Sequence, residues 1–133
     1  SDIARYVIVD NSSYRLLKRL LPGPYTFILP ATREVPKTIA PKRTQVGIRV
    51  PDHAIPRAIA AALGRPLIST TAAEHGTEPL QWPQDIAAAF PQAQLVLDGG
   101  PGGVVPTTVI DLTSQPPLIV REGAGSIDSL LDE

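Results

Sequence analysis

The chain has 133 residues, a length that suits one domain around one core, and 43% of them are hydrophobic, enough to build it. Aromatic residues make up only 5%, so that core must be mainly aliphatic. The net charge of −1 and the lack of like-charge runs argue against a nucleic-acid footprint, while the lack of cysteine excludes disulfides and thiolate–metal sites.

Ser1–Asp10 runs into the apolar Tyr6-Val7-Ile8-Val9 with no leader pattern, and no apolar run is long enough to span a bilayer. A soluble, cytoplasmic protein with no membrane partner is the expectation. Asp10-Asn11-Ser12 offers helix caps before Ser13–Leu21, where Tyr14, Leu17 and Leu21 fall on one face and Lys18 and Arg19 on another. Pro22-Gly23-Pro24 ends that helix, and Tyr25–Leu29 reads as a short buried strand. Val35–Ala40 is expected to form a helical turn and Gln45–Val50 a strand. The basic groups Arg15/Lys18/Arg19 and Lys37/Lys42/Arg43 read as a solvated helix face and a basic loop.

Asp52–Leu63 carries a helical stripe of Ile55, Ile59, Ala62 and Leu63, tolerates Pro56 in its first turn, and stops at Gly64. Pro66–Thr71 reads as a strand, Pro83–Phe90 as a helix with Ile86, Ala89 and Phe90 inward, and Leu95–Leu97 as a strand. Asp98–Val105 is a glycine-rich turn. Thr107–Leu112 and Leu118–Arg121 look like an antiparallel pair around Ser114–Pro117. The 15 prolines stand beside periodic segments and so punctuate turns; without repeats or linkers, one α/β domain is expected. The strand order is not readable from the pattern.

Several chemistries drop out. No glycine loop is followed by Lys and Ser/Thr, so there is no Walker motif. Gly99-Gly100-Pro101-Gly102-Gly103 precedes no helix pattern, which leaves a turn and not a dinucleotide loop. The histidines number two: His53 reads as a first-turn surface residue and His75 as a loop residue, and neither has metal-site spacing. Ser69 with His75 as base lacks the glycines of a nucleophile elbow. No catalytic side chain and no metal ligand is therefore nominated.

What remains is a set of anion-binding groups. Arg49 leaves one predicted strand in Gly47-Ile48-Arg49-Val50-Pro51, and Ser69-Thr70-Thr71 ends the next, with one crossover helix between them. Ligands of open α/β sheets bind outside the carboxyl ends of strands. A guanidinium there can clamp a carboxylate or phosphate through two parallel hydrogen bonds. Ser69 and Thr71 would share a strand face, Thr107 and Thr108 add hydroxyls, and Arg121 adds a second guanidinium. The plainer alternative is that threonine simply favours strands and that Arg121-Glu122 is an edge salt pair.

The order of motifs resembles the YrdC/YciO family, whose best-understood members make threonylcarbamoyl-adenylate for the N6-threonylcarbamoyl modification of tRNA. The matching blocks are Pro22-Gly23-Pro24-Tyr25-Thr26, Val46-Gly47-Ile48-Arg49-Val50-Pro51 with Asp52-His53, and Arg65-Pro66-Leu67-Ile68-Ser69-Thr70-Thr71-Ala72. They continue with Asp98-Gly99-Gly100, Thr107-Thr108-Val109-Ile110-Asp111-Leu112 and Arg121-Glu122-Gly123. The wording of Tyr6–Asn11, Tyr14–Lys18 and Lys37–Arg49 is nearer the YciO branch. The resemblance implies an α/β fold with a twisted, mixed, mostly open sheet and flanking helices. It implies a nucleotidyltransferase using ATP, bicarbonate and L-threonine, with Mg2+ allowed beside ATP. Arg49 would clamp the threonine carboxylate and Thr107 would stand near both substrates. Ser69, Thr71, Thr107 and Arg121 would face the nucleotide phosphates.

Two departures qualify the transfer. The synthases read Ser-Ala-Asn-x-Ser-Gly where this chain reads Thr71-Ala72-Ala73-Glu74-His75-Gly76, which removes an amide and adds a carboxylate. The family also begins with roughly sixty to seventy further residues, a length within ordinary domain size, carrying Thr-x-Tyr-Gly-Leu and Lys-x-Arg motifs not found here. The expectation is the C-terminal two-thirds of one domain over residues 1–133, inactive by itself. The alternatives are a double-stranded-RNA-binding or translation-factor-like module, with RNA, tRNA or tRNA-modification proteins as partners, and a nucleotide-binding paralogue without turnover.

Overall fold

The computed structural model describes residues 2–36, 44–74 and 76–131. A 3-10 turn at Asp2–Arg5 leads to helix α1 (Asn11–Leu20) and strands β1 (Tyr25–Pro30) and β2 (Gln45–Ile48). Helices α2 (Ala54–Leu63) and α3 (Pro83–Ala89) follow, then β3 (Thr108–Asp111), β4 (Leu118–Arg121) and the short α4 (Asp128–Leu131). The four strands form one mixed sheet in the order β2-β1-β3-β4. β1 pairs antiparallel with β2 and parallel with β3, and β3 pairs antiparallel with β4 through an irregular register at Val109/Ile110. This is the open mixed sheet that the sequence led us to expect.

Alternation along β1 decides the two faces. Tyr25, Phe27 and Leu29 are buried, while Thr26, Ile28 and Pro30 are half-buried on the opposite side. The buried face meets Ile110 and Leu112 from the β3 segment, Leu16 and Leu17 from α1, and Val7, which bridges to Ala31. Phe27 and Ile110 are fully excluded from water. Each such side chain contributes about 1.5–3 kcal/mol.

α1 starts where Asp10, in extended conformation, accepts a hydrogen bond at Oδ1 from the Ser13 N–H at 2.8 Å. That bond first, then those from the Ser13 and Ser12 side chains, holds the Asp10 carboxyl below its ordinary pKa. The buried face of the helix is Ser13, Leu16 and Leu17, with Leu20 and Leu21 packed beside it. Tyr14, assigned by periodicity to the same face as Leu17, is 54% exposed with the Lys18 ammonium over its ring. Both stripes have helical spacing; the one richer in leucine faces the sheet.

Two predicted strands do not form. Pro66–Thr71 and Leu95–Leu97 are irregular and largely exposed. Their apolar and β-branched residues suit a strand, but a strand needs a neighbour for its backbone N–H and C=O groups. Near Thr71 the backbone bonds are local: Ala73 N–H to Thr71 O at 2.9 Å and Leu80 N–H to Ala72 O at 2.8 Å. The stripe of α2 is likewise less covered than its pattern implies. The helix has no buried residue, and Ile59 and Leu63 are exposed. The expected turn at Val35–Ala40 and the Lys37/Lys42/Arg43 group fall largely outside the described residues. No helix among the described residues is long and apolar enough to cross a membrane.

Candidate functional site

The face of the sheet away from α1 is open. Thr26 and Ile28 of β1, Gln45 and Gly47 of β2 and Val109 of β3 line a groove of about 610 Å³. Gly47 keeps it clear, since a Cβ there would come 3.2 Å from Thr26 Cγ2.

Polar groups collect about Thr26 at the edge of this groove, each from a strand or from the residue adjoining one, in sheet order. Phe27 pairs with Ile48 across the antiparallel ladder, so Arg49, the next residue, lies alongside Thr26. The Gly23 N–H to Val50 O bond at 2.9 Å keeps the two chains together beyond the ladder. On the other side of β1, Thr26 Oγ1 and Thr107 Oγ1 are 2.7 Å apart. From β4, Arg121 donates to the Thr107 carbonyl through Nε at 3.0 Å and Nη2 at 2.8 Å, and Nη2 also reaches Thr107 Oγ1 at 3.2 Å. The row is Arg49–Thr26–Thr107–Arg121: Arg121 and the two hydroxyls are joined by hydrogen bonds, and Arg49 is placed at the other end by strand register. Both arginines are exposed and both threonines half-buried. Such a row can bind an oxyanion, with charge at the ends and directional donors between them.

Neighbouring loops hold the row in place. Thr108, fully buried, donates from Oγ1 to Gly125 O at 2.6 Å and accepts the Gly123 N–H at 2.9 Å. Ala124 N–H bonds to Pro106 O at 2.8 Å, and the Tyr25 hydroxyl donates to Ser126 O at 2.6 Å. The segment after β4 is thereby tied to the start of β3, next to Thr107.

Of the residues nominated from the sequence, Thr107 and Arg121 are hydrogen-bonded to each other, and Arg49 follows β2 next to Thr26 in register. Arg121 turns to the Thr107 carbonyl and not to Glu122. Thr108, offered as a further hydroxyl for an anion, is instead a core group with both its bonds made. Ser69 and Thr71 are exposed on the irregular segment, so the shared strand face expected for them does not exist. No hydrogen bond among the described residues joins them to the row. Thr26 is the residue that sequence reasoning missed: its motif, Pro22-Gly23-Pro24-Tyr25-Thr26, stood out, but its partner is 81 positions away.

A second hollow, about 260 Å³, lies between α2, α3 and the glycine turn and includes His53, Ile55, Leu80, Ile86, Gly99 and Gly100. His53 is the N-cap of α2, its Nδ1 accepting the Ile55 N–H at 3.2 Å. In the glycine turn Asp98 Oδ1 accepts the Gly100 N–H at 2.9 Å, and Gly100 has φ +89°, a turn as expected. This hollow shares no residue with the row. His75 lies outside the described residues. Among the described residues no cluster of three His, Asp or Glu could hold a metal.

Residues 1–123 match the family Sua5_yciO_yrdC, described as telomere recombination. The uncharacterized protein YciO of Escherichia coli K12 is 42% identical over 134 residues, a match covering 98% of this chain and 65% of YciO. A threonylcarbamoyl-AMP synthase of Chromohalobacter salexigens is 37% identical over 94 residues, covering 70% of this chain and 51% of that protein. The crystal structure of Pyrococcus abyssi Sua5 complexed with L-threonine superimposes with a TM-score of 0.86 at 28% identity, covering 99% of this chain and 40% of that one. The chain therefore spans less than two thirds of the length of each of these relatives.

Proposed function

The chain belongs to the Sua5/YciO/YrdC family, and from that premise we propose that it supplies one wall of a site of the threonylcarbamoyl-AMP synthase type. The observation that carries this reading is the Arg49–Thr26–Thr107–Arg121 row at the edge of an open groove. Relatives named threonylcarbamoyl-AMP synthase and a Sua5 structure with L-threonine supply the chemical class.

In the proposed reaction the amino group of L-threonine takes up bicarbonate as a carbamate. A carbamate oxygen then attacks the α-phosphorus of ATP; the bond from that phosphorus to the bridging oxygen breaks, and pyrophosphate leaves. The nucleophile belongs to the substrate, so the protein's work is positioning and charge neutralisation. Arg49 binds the threonine carboxylate as a two-pronged clamp. Thr107 donates from its hydroxyl near the junction of the two substrates. Arg121, anchored through Nε and Nη2, presents its Nη1 hydrogens to phosphate oxygens. Ser69 and Thr71 are assigned to the phosphate side on family resemblance. With no three-residue cluster of metal-type ligands among the described residues, Mg2+ would travel on the phosphates of ATP with its own waters. The product class places the whole protein in tRNA modification.

Calorimetric titration of the chain with L-threonine and with L-threoninamide tests the carboxylate clamp. The account expects heat of binding from threonine and none from the amide, which lacks the carboxylate. Equal binding of the two, or none of either, would overturn it.

A further inference from the structure

Thr107 Oγ1 is a crowded oxygen. A hydroxyl has one proton and two lone pairs. Arg121 Nη2 donates to one lone pair at 3.2 Å, and Thr26 Oγ1 stands 2.7 Å away, with either hydroxyl able to donate. Two arrangements follow. If Thr107 gives its proton to Thr26, it has none left for a ligand. If Thr26 gives its proton to Thr107, both lone pairs of Thr107 are filled and its own O–H points out of the row. Carboxylate and phosphate oxygens only accept, so an anion seated on Thr107 selects the second arrangement, whereas the first leaves the free O–H on Thr26.

We infer that Thr26 is a positioning residue for the anion site: its hydroxyl donates to Thr107 and so aims the Thr107 proton at the ligand. Thr107 is the only hydrogen-bond partner of the Thr26 side chain among the described residues, so nothing competes for that proton. Its orientation is set on the other side as well. The Thr26 methyl lies over Gly47, at a place where a Cβ on residue 47 would come within 3.2 Å. With the methyl on that side, Oγ1 is turned to Thr107. The choice of threonine carboxylate as ligand rests on the function proposed above; the donor chain does not.

The test is a mutant cycle in the 133-residue chain, using Thr26→Val, Thr26→Ser, Thr107→Val and the Thr26→Val/Thr107→Val double variant, titrated with L-threonine. Losing one neutral hydrogen bond should weaken binding about three- to tenfold in Thr26→Val, and Thr26→Ser should restore it. In the Thr107→Val background Thr26→Val should add nothing, since Thr26 acts only through Thr107. Unchanged affinity in Thr26→Val, or additive losses, would overturn the inference. Three-bond couplings to Thr107 Cγ2 provide a readout without ligand. One χ1 rotamer is expected in the wild type and averaging in Thr26→Val, and identical couplings in both would overturn the inference. If the wild-type chain binds no threonine, the ligand assignment falls and these couplings still decide the role of Thr26. Thermal unfolding of each variant separates lost folding from lost positioning. Should Thr26→Val not fold, Gly47→Ala displaces the same methyl and should loosen the Thr107 rotamer in the same way.

Discussion

Arg49 and Thr108 show how much a single position matters at this rim. Arg49 stands one residue past the β2 ladder, exposed, beside the half-buried Thr26. A planar fork there can hold both oxygens of a carboxylate, whereas an ammonium holds one at a time. Arg49→Lys should therefore weaken L-threonine binding by about tenfold or more while leaving the unfolding midpoint unchanged. Calorimetry and thermal unfolding check the two halves of this statement; an unchanged affinity would remove the clamp. Thr107 and Thr108 are chemically identical neighbours with opposite fates, since alternation sends Thr107 to the open face and Thr108 into the core. Arg49, Thr107 and Arg121 could be nominated from the sequence because their chemistry is visible in the residue itself. Thr26 was not, because its role depends on a pairing between distant strands.

At the scale of elements, the segment after β4 fixes the row from behind. Gly123 is the critical position: a Cβ there would come within 2.2 Å of Pro106 O and 2.6 Å of Thr107 O, both backbone atoms. Neither can yield without moving the start of β3. Gly123→Ala should cost about 1–3 kcal/mol by overpacking, read as a lower urea midpoint, and should also weaken anion binding by displacing Thr107. An alanine variant of wild-type stability would contradict this packing. Helices α1, α2 and α3 and all four strands were readable within a few residues, since their periodicity and their Pro and Gly boundaries are local. Pro66–Thr71 and Leu95–Leu97 have equally good strand composition, yet they form none. A strand is completed by its partner, and composition does not contain the partner.

For the whole molecule, the row forms because β1 sits between β2 and β3. That order brings Arg49, Thr26, Thr107 and Arg121 into one line, although α2, α3 and the glycine turn separate β2 from β3 in the chain. An α/β class was legible from alternating periodicities; the order β2-β1-β3-β4 was not, because nothing in the pattern of one strand names its neighbour. The chain covers 98% of its own length against YciO but 65% of that protein. The row is thus best tested as a binding wall in its own right. The most direct measurement is a titration of the isotopically labelled chain with L-threonine, followed by backbone amide chemical shifts. The account predicts shifts concentrated at Thr26, Gly47, Arg49, Thr107 and Arg121. Shifts centred instead on the hollow around His53 and Gly99, or none up to the solubility limit of threonine, would contradict it.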